Sequence, residues 1–302
     1  MSAQIRVLER DRTFTPLGIR FWDAALELPV AEPLAVHAWP AGTAHAPVRA
    51  VRSPSGVYAF HALPGQQAAT KPADDEAHPE RVGTPREYAI AVDDASGRYQ
   101  PAAFSVTLPL GYRGEFLSAP EGSPPRPAGR AYLFPSATRQ VPPGLAAIRA
   151  DFVDAETGEP APWAVLSATV AGVTRTAIAD EQGRALALVP FPTPERLRQG
   201  SPPADPHTAT WPVSLAVRWE PAALRYPFPA RDGLNPAWAA RPSLKSILDE
   251  QRAALVWTDE GQAPAAEWTD TLVHGQELVL RTTLAGGARA PTVWISAGAS
   301  PP

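Results

Sequence analysis

The side chains best suited to proton transfer or zinc ligation are the six histidines, His37, His45, His61, His78, His207 and His274. Their spacing serves neither task. No two stand at the helical i, i+4 separation, and no pair is close enough to act as a metal-ligand doublet. Carboxylates cluster at Asp74-Asp75-Glu76, Asp93-Asp94 and Asp180-Glu181. Each cluster sits in a turn-like stretch, where Asp is favoured for bonding its own backbone. Acid–base work would require the fold to gather two of them in one cleft. A calcium loop at Asp93-Asp94-Ala-Ser-Gly lacks the full ladder of oxygen ligands. Cysteine is absent, which removes disulfides, thiolate metal sites and a thiol nucleophile. The Gly-x-Ser-x-Gly, phosphate-loop and dinucleotide-binding glycine patterns are absent as well. The expectation is a non-enzymatic chain with no cofactor and no metal.

The nine tryptophans offer recognition chemistry instead, because indole supplies a large amphipathic face for partner contact or sugar stacking. Trp22, Trp163 and Trp219 lie in strand-like runs and are expected in the core. Trp238 lies in a loop-like context, and Trp257 and Trp268 flank a polar stretch. These three are the candidates for partner contact.

The elements that must position these residues follow from composition. Proline occupies 37 of 302 positions, and glycine a further 21. Proline breaks helix interiors and removes ladder donors from sheets, so a helical bundle is excluded and short strands with many turns are favoured. Apolar residues make up 44% of the chain, enough for real cores. A net charge of −4 gives no footprint for nucleic acid. No apolar run is long enough for a membrane span, and the first twelve residues have no apolar signal core. Folding in the cytoplasm is expected, with release as part of an assembled particle left open.

Landmarks recur along the chain in one order. Arg20-Phe21-Trp22-Asp23 leads to Pro29, as Ala150-Asp151-Phe152-Val153-Asp154 leads to Pro160. A turn follows in each case, Ser53-Pro-Ser-Gly56 and Asp180-Glu-Gln-Gly183, and then an alternating strand ending at Pro64 or Pro190. After a polar insertion come the strands around Tyr88 and Val213. This order suggests an internal repeat. The expected architecture is all-β: tandem antiparallel β-sandwich domains with long Pro-rich loops and a small C-terminal β-containing segment. The expected boundaries are 1–112, a Pro/Gly-rich connector at 113–145 with an edge strand near 131–134, 146–240, and 241–302 with a short helix capped by Ser243 followed by strands.

Asp154-Ala-Glu-Thr-Gly158-Glu-Pro160 and Asp180-Glu-Gln-Gly183 resemble the turns of the carboxypeptidase-regulatory, transthyretin-like sandwich family; Asp23–Pro29 is a weaker match that lacks the turn glycine. The resemblance implies fold and says little of function. Gly111-Tyr-Arg-Gly114 echoes the C-terminus of the hydroxyisourate hydrolases, but that family's paired histidines have no counterparts here. Gly18-Ile-Arg-Phe-Trp-Asp23 with Ser53–Phe60 also resembles β-sandwich proteins of phage tail-like contractile injection systems. That resemblance implies a structural or baseplate-type subunit that binds other protein subunits, without nucleic acid, membrane insertion or a small-molecule ligand. The alternative is a carbohydrate-binding or adhesive module.

Overall fold

The computed structural model describes residues 15–66, 85–108, 131–192 and 209–297. The protein is mostly β, with several antiparallel sheets. In the first half, β1 (Leu17–Ile19), β6 (Tyr58–Phe60) and β5 (Val51–Arg52) form one antiparallel sheet in the order β1-β6-β5. A second has the order β4-β3-β7-β8, from β4 (Val48–Arg49), β3 (Ala35–Pro40), β7 (Arg86–Asp93) and β8 (Ala102–Leu108). Two short strands, β2 (Phe21–Asp23) and β9 (Ala131–Leu133), pair in parallel.

The second half repeats this plan with longer strands. Its β10 (Leu145–Asp154) meets β13 (Arg184–Pro190) antiparallel, as β1 meets β6. The end of β10 meets β18 (Val293–Ala297) in parallel, as β2 meets β9. The strands β12 (Val173–Ile178), β11 (Val165–Val170), β14 (Thr210–Arg218) and β16 (Glu267–Val273) follow the order β12-β11-β14-β16. β15 (Ala254–Trp257) borders β18, and β17 (Leu278–Val279) lies beside β10.

Period-2 alternation explains how the sheets pack. Val36, Tyr88, Ile90 and Phe104 of the second sheet share one core with Leu17, Phe60, Phe21 and Leu133. Ile148, Phe152 and Ile295 likewise share a core with Leu166, Val213, Leu215 and Leu272. The boundaries expected at 145 and 240 therefore shift. Leu133 and Phe134 are core residues of the first half, so 131–134 is its last strand rather than part of a connector. β15, β16 and β18 complete both sheets of the second half, so 241–297 is no separate segment. The rest of the expected connector (113–130), most of the expected loops at 66–86 and 193–210, and the end of the tail lie outside the described residues.

Backbone bonds show how closely the halves correspond. The Asp23 N–H donates to Leu28 O, Glu27 N–H to Asp23 O and Val30 N–H to Phe21 O. At the matching positions Asp154 N–H donates to Glu159 O, Gly158 N–H to Asp154 O and Ala161 N–H to Phe152 O. The turn glycine missing from the first half is replaced by Glu27, which adopts the same left-handed conformation (φ 57° against 74° for Gly158). The second turn also repeats: Gly56 N–H donates to Ser53 O, and Gly183 N–H to Asp180 O.

The halves differ between β14 and β16. Where a short turn joins β7 to β8, the second half inserts 219–266, and much of that insertion packs on the first half. Phe228 and Trp238 cover Trp39, Ala89, Ala91 and Ala103 on the outer face of the second sheet. Arg241 Nη2 reaches Asp93 Oδ1 at 2.9 Å, and Arg231 Nη1 donates to Thr43 O at 2.6 Å. The expected short helix is the helical turn Ser246–Glu250. Leu244, Ile247 and Leu248 around it join the first core, beside Trp163 and Ile178. Ser243 does not cap it with its side chain; its carbonyl instead accepts from Ile247 N–H and Ser246 Oγ.

Two substitutions should separate the matched turns. A Cβ on Gly183 would meet Phe152 O at 2.3 Å, whereas one on Gly56 meets nothing within 4 Å, although both glycines have positive φ. Gly56→Ala should cost about 1–2 kcal/mol from the left-handed backbone alone. Gly183→Ala should cost clearly more, read by chemical denaturation of both variants. Trp238→Ala should cost about 3–5 kcal/mol through the cavity it leaves, seen as a lowered midpoint in the same experiment.

Candidate functional site

The three tryptophans singled out for partner contact have different fates. Trp238 is only 5% exposed. It sits on the short helix α1 (Pro236–Ala239), which Asn235 caps by accepting from Ala237 N–H. Its ring packs 5.3 Å from Phe228 and 5.1 Å from His37, and its Nε1–H donates to Asp93 Oδ2 at 3.1 Å. Its loop-like sequence context suggested an exposed ring. The structure corrects this, because the insertion folds back and uses the indole as an internal anchor.

Trp257 and Trp268 are half-buried and line one cleft of about 220 Å³. The cleft opens between β16, the edge of one sheet, and the strands β15 and β17 of the other. Along β16, Trp268, Asp270 and Leu272 point towards the gap between the sheets, while Glu267, Thr269 and Thr271 are exposed. Asp270 thus places a carboxylate at an inward position, where its Oδ1 accepts the Thr271 N–H at 2.7 Å. Arg281, Thr283 and Arg289 complete the polar wall. Asp270, Arg281 and Arg289 were missed in the sequence. The alternation Trp268-x-Asp270-x-Leu272, a charge on an otherwise apolar strand face, was the available signal for Asp270.

The histidines and carboxylates are otherwise engaged or apart. Burial pushes the His37 imidazole below its ordinary range, with Asp93 opposing the shift and Arg49 adding to it. His274 packs against Phe191 and Trp211, and His61 Nδ1 lies 3.0 Å from Thr15 Oγ1. His78, His207, Asp74-Asp75-Glu76 and the 111–114 stretch lie outside the described residues. Asp94 caps its turn by accepting from the N–H groups of Ser96, Arg98 and Tyr99. Burial alone would raise its pKa, and these bonds with the Ser96 hydroxyl bring it below the usual range. Asp180 binds the N–H groups of Gln182 and Arg184 and the Arg184 guanidinium. Among the described residues, no three His, Asp or Glu side chains gather as a metal site, and no helix is long and apolar enough to cross a membrane.

The strongest electrostatic cluster is internal to the first half. Asp23 Oδ2 receives Arg139 Nη2 at 2.6 Å and the Tyr99 hydroxyl at 3.0 Å, and its Oδ1 accepts from Ala25 and Leu26 N–H. Both members of the ion pair have side chains 2% exposed. Burial by itself would raise the Asp23 pKa, but Arg139 and the two N–H bonds bring it below the usual carboxylate range. Burial first, and then the Asp23 charge, push the Tyr99 phenol well above its ordinary value. With both charged side chains out of contact with solvent, the cluster holds structure rather than substrate.

No family model, curated protein or solved structure matches the chain. The site must be judged on its own geometry.

The Asp23–Arg139 pair predicts a pH signature. Because the folded-state pKa of Asp23 is depressed, its contribution is complete above the usual carboxylate range and is lost as pH falls through the lower folded value. Arg139→Ala strands a buried carboxylate and should cost about 3–5 kcal/mol near neutral pH. In that variant burial raises the Asp23 pKa, so the deficit against wild type should shrink on acidification. Urea unfolding at several pH values between about 7 and 4 would show it.

Proposed function

We propose that the chain is a non-enzymatic structural or adaptor subunit of a large protein assembly, built from two transthyretin-like β-sandwich units that arose by duplication. The carrying observation is the coupling of the halves. Residues 224–248 of the insertion leave the second half, pack on the outer sheet face of the first, and contribute Leu244, Ile247 and Leu248 to its core. Gln100 Nε2 adds a bond to Ile178 O across the same junction. Two units held by a shared core present surfaces at a fixed mutual geometry, as a connecting subunit requires. The resemblance of Gly18–Asp23 and Ser53–Phe60 to contractile injection system proteins makes a phage tail-like particle, at its baseplate or as an accessory, the preferred assembly. The test is affinity purification of the tagged chain from its native cells, followed by mass spectrometry. Stoichiometric recovery of particle subunits is expected. A monomer that sediments alone and never with a particle overturns the proposal.

A second function, carbohydrate binding, is favoured by one observation: the cleft joins Trp257 and Trp268 with a carboxylate and two guanidinium groups. Aromatic faces beside convergent polar groups are the chemistry that holds a sugar ring. Trp268→Ala should abolish saccharide-dependent quenching of the protein's fluorescence if the cleft serves this role, and quenching that survives the substitution places any sugar elsewhere.

A further inference from the structure

The cleft beside Trp268 does not end at Arg281. Val279, Arg281 and Arg289 also line a second cleft of about 240 Å³, with Thr271, Val273, Gln276, Glu277 and Leu278 on its other walls. The two are joined at the arginines. Thr283 pairs with Arg289 across a hairpin closed at Gly286-Gly287, and Arg281 stands two positions before Thr283. Arg281 and Arg289 line both clefts, which places the two residues together where the clefts meet. Among the described residues neither guanidinium has an ion-pair or hydrogen-bond partner, and both residues are exposed. Glu277 lines the second cleft too, but both its carboxylate oxygens accept from the Arg149 guanidinium rather than from Arg281 or Arg289. Asp270 keeps its Oδ2 without a hydrogen bond among the described residues.

We propose that this double cleft binds an acidic oligosaccharide. One pyranose ring lays its apolar face against Trp268, Asp270 accepts its hydroxyl hydrogens, and Arg281 with Arg289 holds the carboxylate or sulfate where the clefts meet. Each cleft is smaller than the roughly 300–1,000 Å³ of a drug-sized pocket, in keeping with one ring in each. A peptide strand added to the edge of β16 fits less well. An inward charge on an edge strand opposes strand addition, and Asp270 already occupies the Thr271 N–H. A lone small anion would leave the indole unused, whereas an acidic sugar engages both kinds of group.

This inference rests on the carbohydrate-binding function, and the test separates the two. Calorimetry compares an oligogalacturonate hexamer and a heparin hexasaccharide with a neutral cello-oligosaccharide of equal length. Polyglutamate and inorganic sulfate serve as charge-only competitors. At least one acidic saccharide should bind saturably, about tenfold or more tighter than the neutral one, and should weaken as salt rises. Arg281→Ala/Arg289→Ala should lose about tenfold or more in affinity for that saccharide. Both arginines are exposed, so the fold is retained, and an unchanged thermal midpoint would verify this. Equal binding of the neutral saccharide overturns the acidic preference and leaves carbohydrate binding standing. No saturable binding of any saccharide up to about 10 mM overturns both. Polyglutamate binding as tightly as the acidic saccharide at matched charge, or saccharide binding indifferent to the double variant, also overturns the proposal.

Discussion

The Asp23 carboxylate is the point on which the first half depends. It ends β2, caps the turn that follows, and is reached from two distant parts of the chain by Tyr99 and Arg139. An ion pair this deep is not a simple gain, since desolvation of both charges offsets much of their attraction. Its consequence is specificity. With Asp23 ionised and buried, Arg139 has one place to go, and the stretch after β9 is fixed against the β2 turn. The Arg139 guanidinium also lies 5.2 Å from the Tyr99 ring centroid, so the three side chains form one packed unit.

The matching position in the second half shows what the pair replaces. Asp154 makes the same backbone turn bonds but is only half-buried, and its carboxylate accepts from Glu156 N–H and Thr157 Oγ1. There β10 runs unbroken for ten residues and is flanked by β13, β17 and β18. In the first half the equivalent run is broken at Arg20 into β1 and β2. Long ladders hold the second half, and a buried polar cluster helps hold the shorter strands of the first.

The insertion between β14 and β16 carries the same logic between the halves. It buries Trp238 and Phe228 on a sheet face that would otherwise expose Trp39. It ties its polar atoms to Asp93, which meets both Arg241 and the Trp238 indole. The double cleft lies elsewhere, at the open edge of the second half. That edge is where β16 lacks a further neighbour, so Trp268 and Asp270 stay accessible between the sheets.

Local chemistry was legible in the sequence wherever it is local in the fold. Proline density excluded helices, Asp-x-x-Gly turns and strand alternation marked the repeated landmarks, and the match of Asp23 with Asp154 and of Gly56 with Gly183 corresponds to matched backbone bonds. Glu27 was not legible in this way, because a non-glycine residue gives no sign of the left-handed conformation that the turn imposes on it. Tertiary structure alone decided the rest. Arg139 carries no local signal of burial, since its partner is 116 residues away. Trp238 looks like a loop residue until the insertion folds onto the other half. Residues 131–134 and 241–297 look like connector and appendage because parallel pairing with β2 and β10 is non-local and leaves no trace in a turn. Trp257, Trp268, Arg281 and Arg289 share a cleft for the same reason: strand order, not chain order, makes them neighbours.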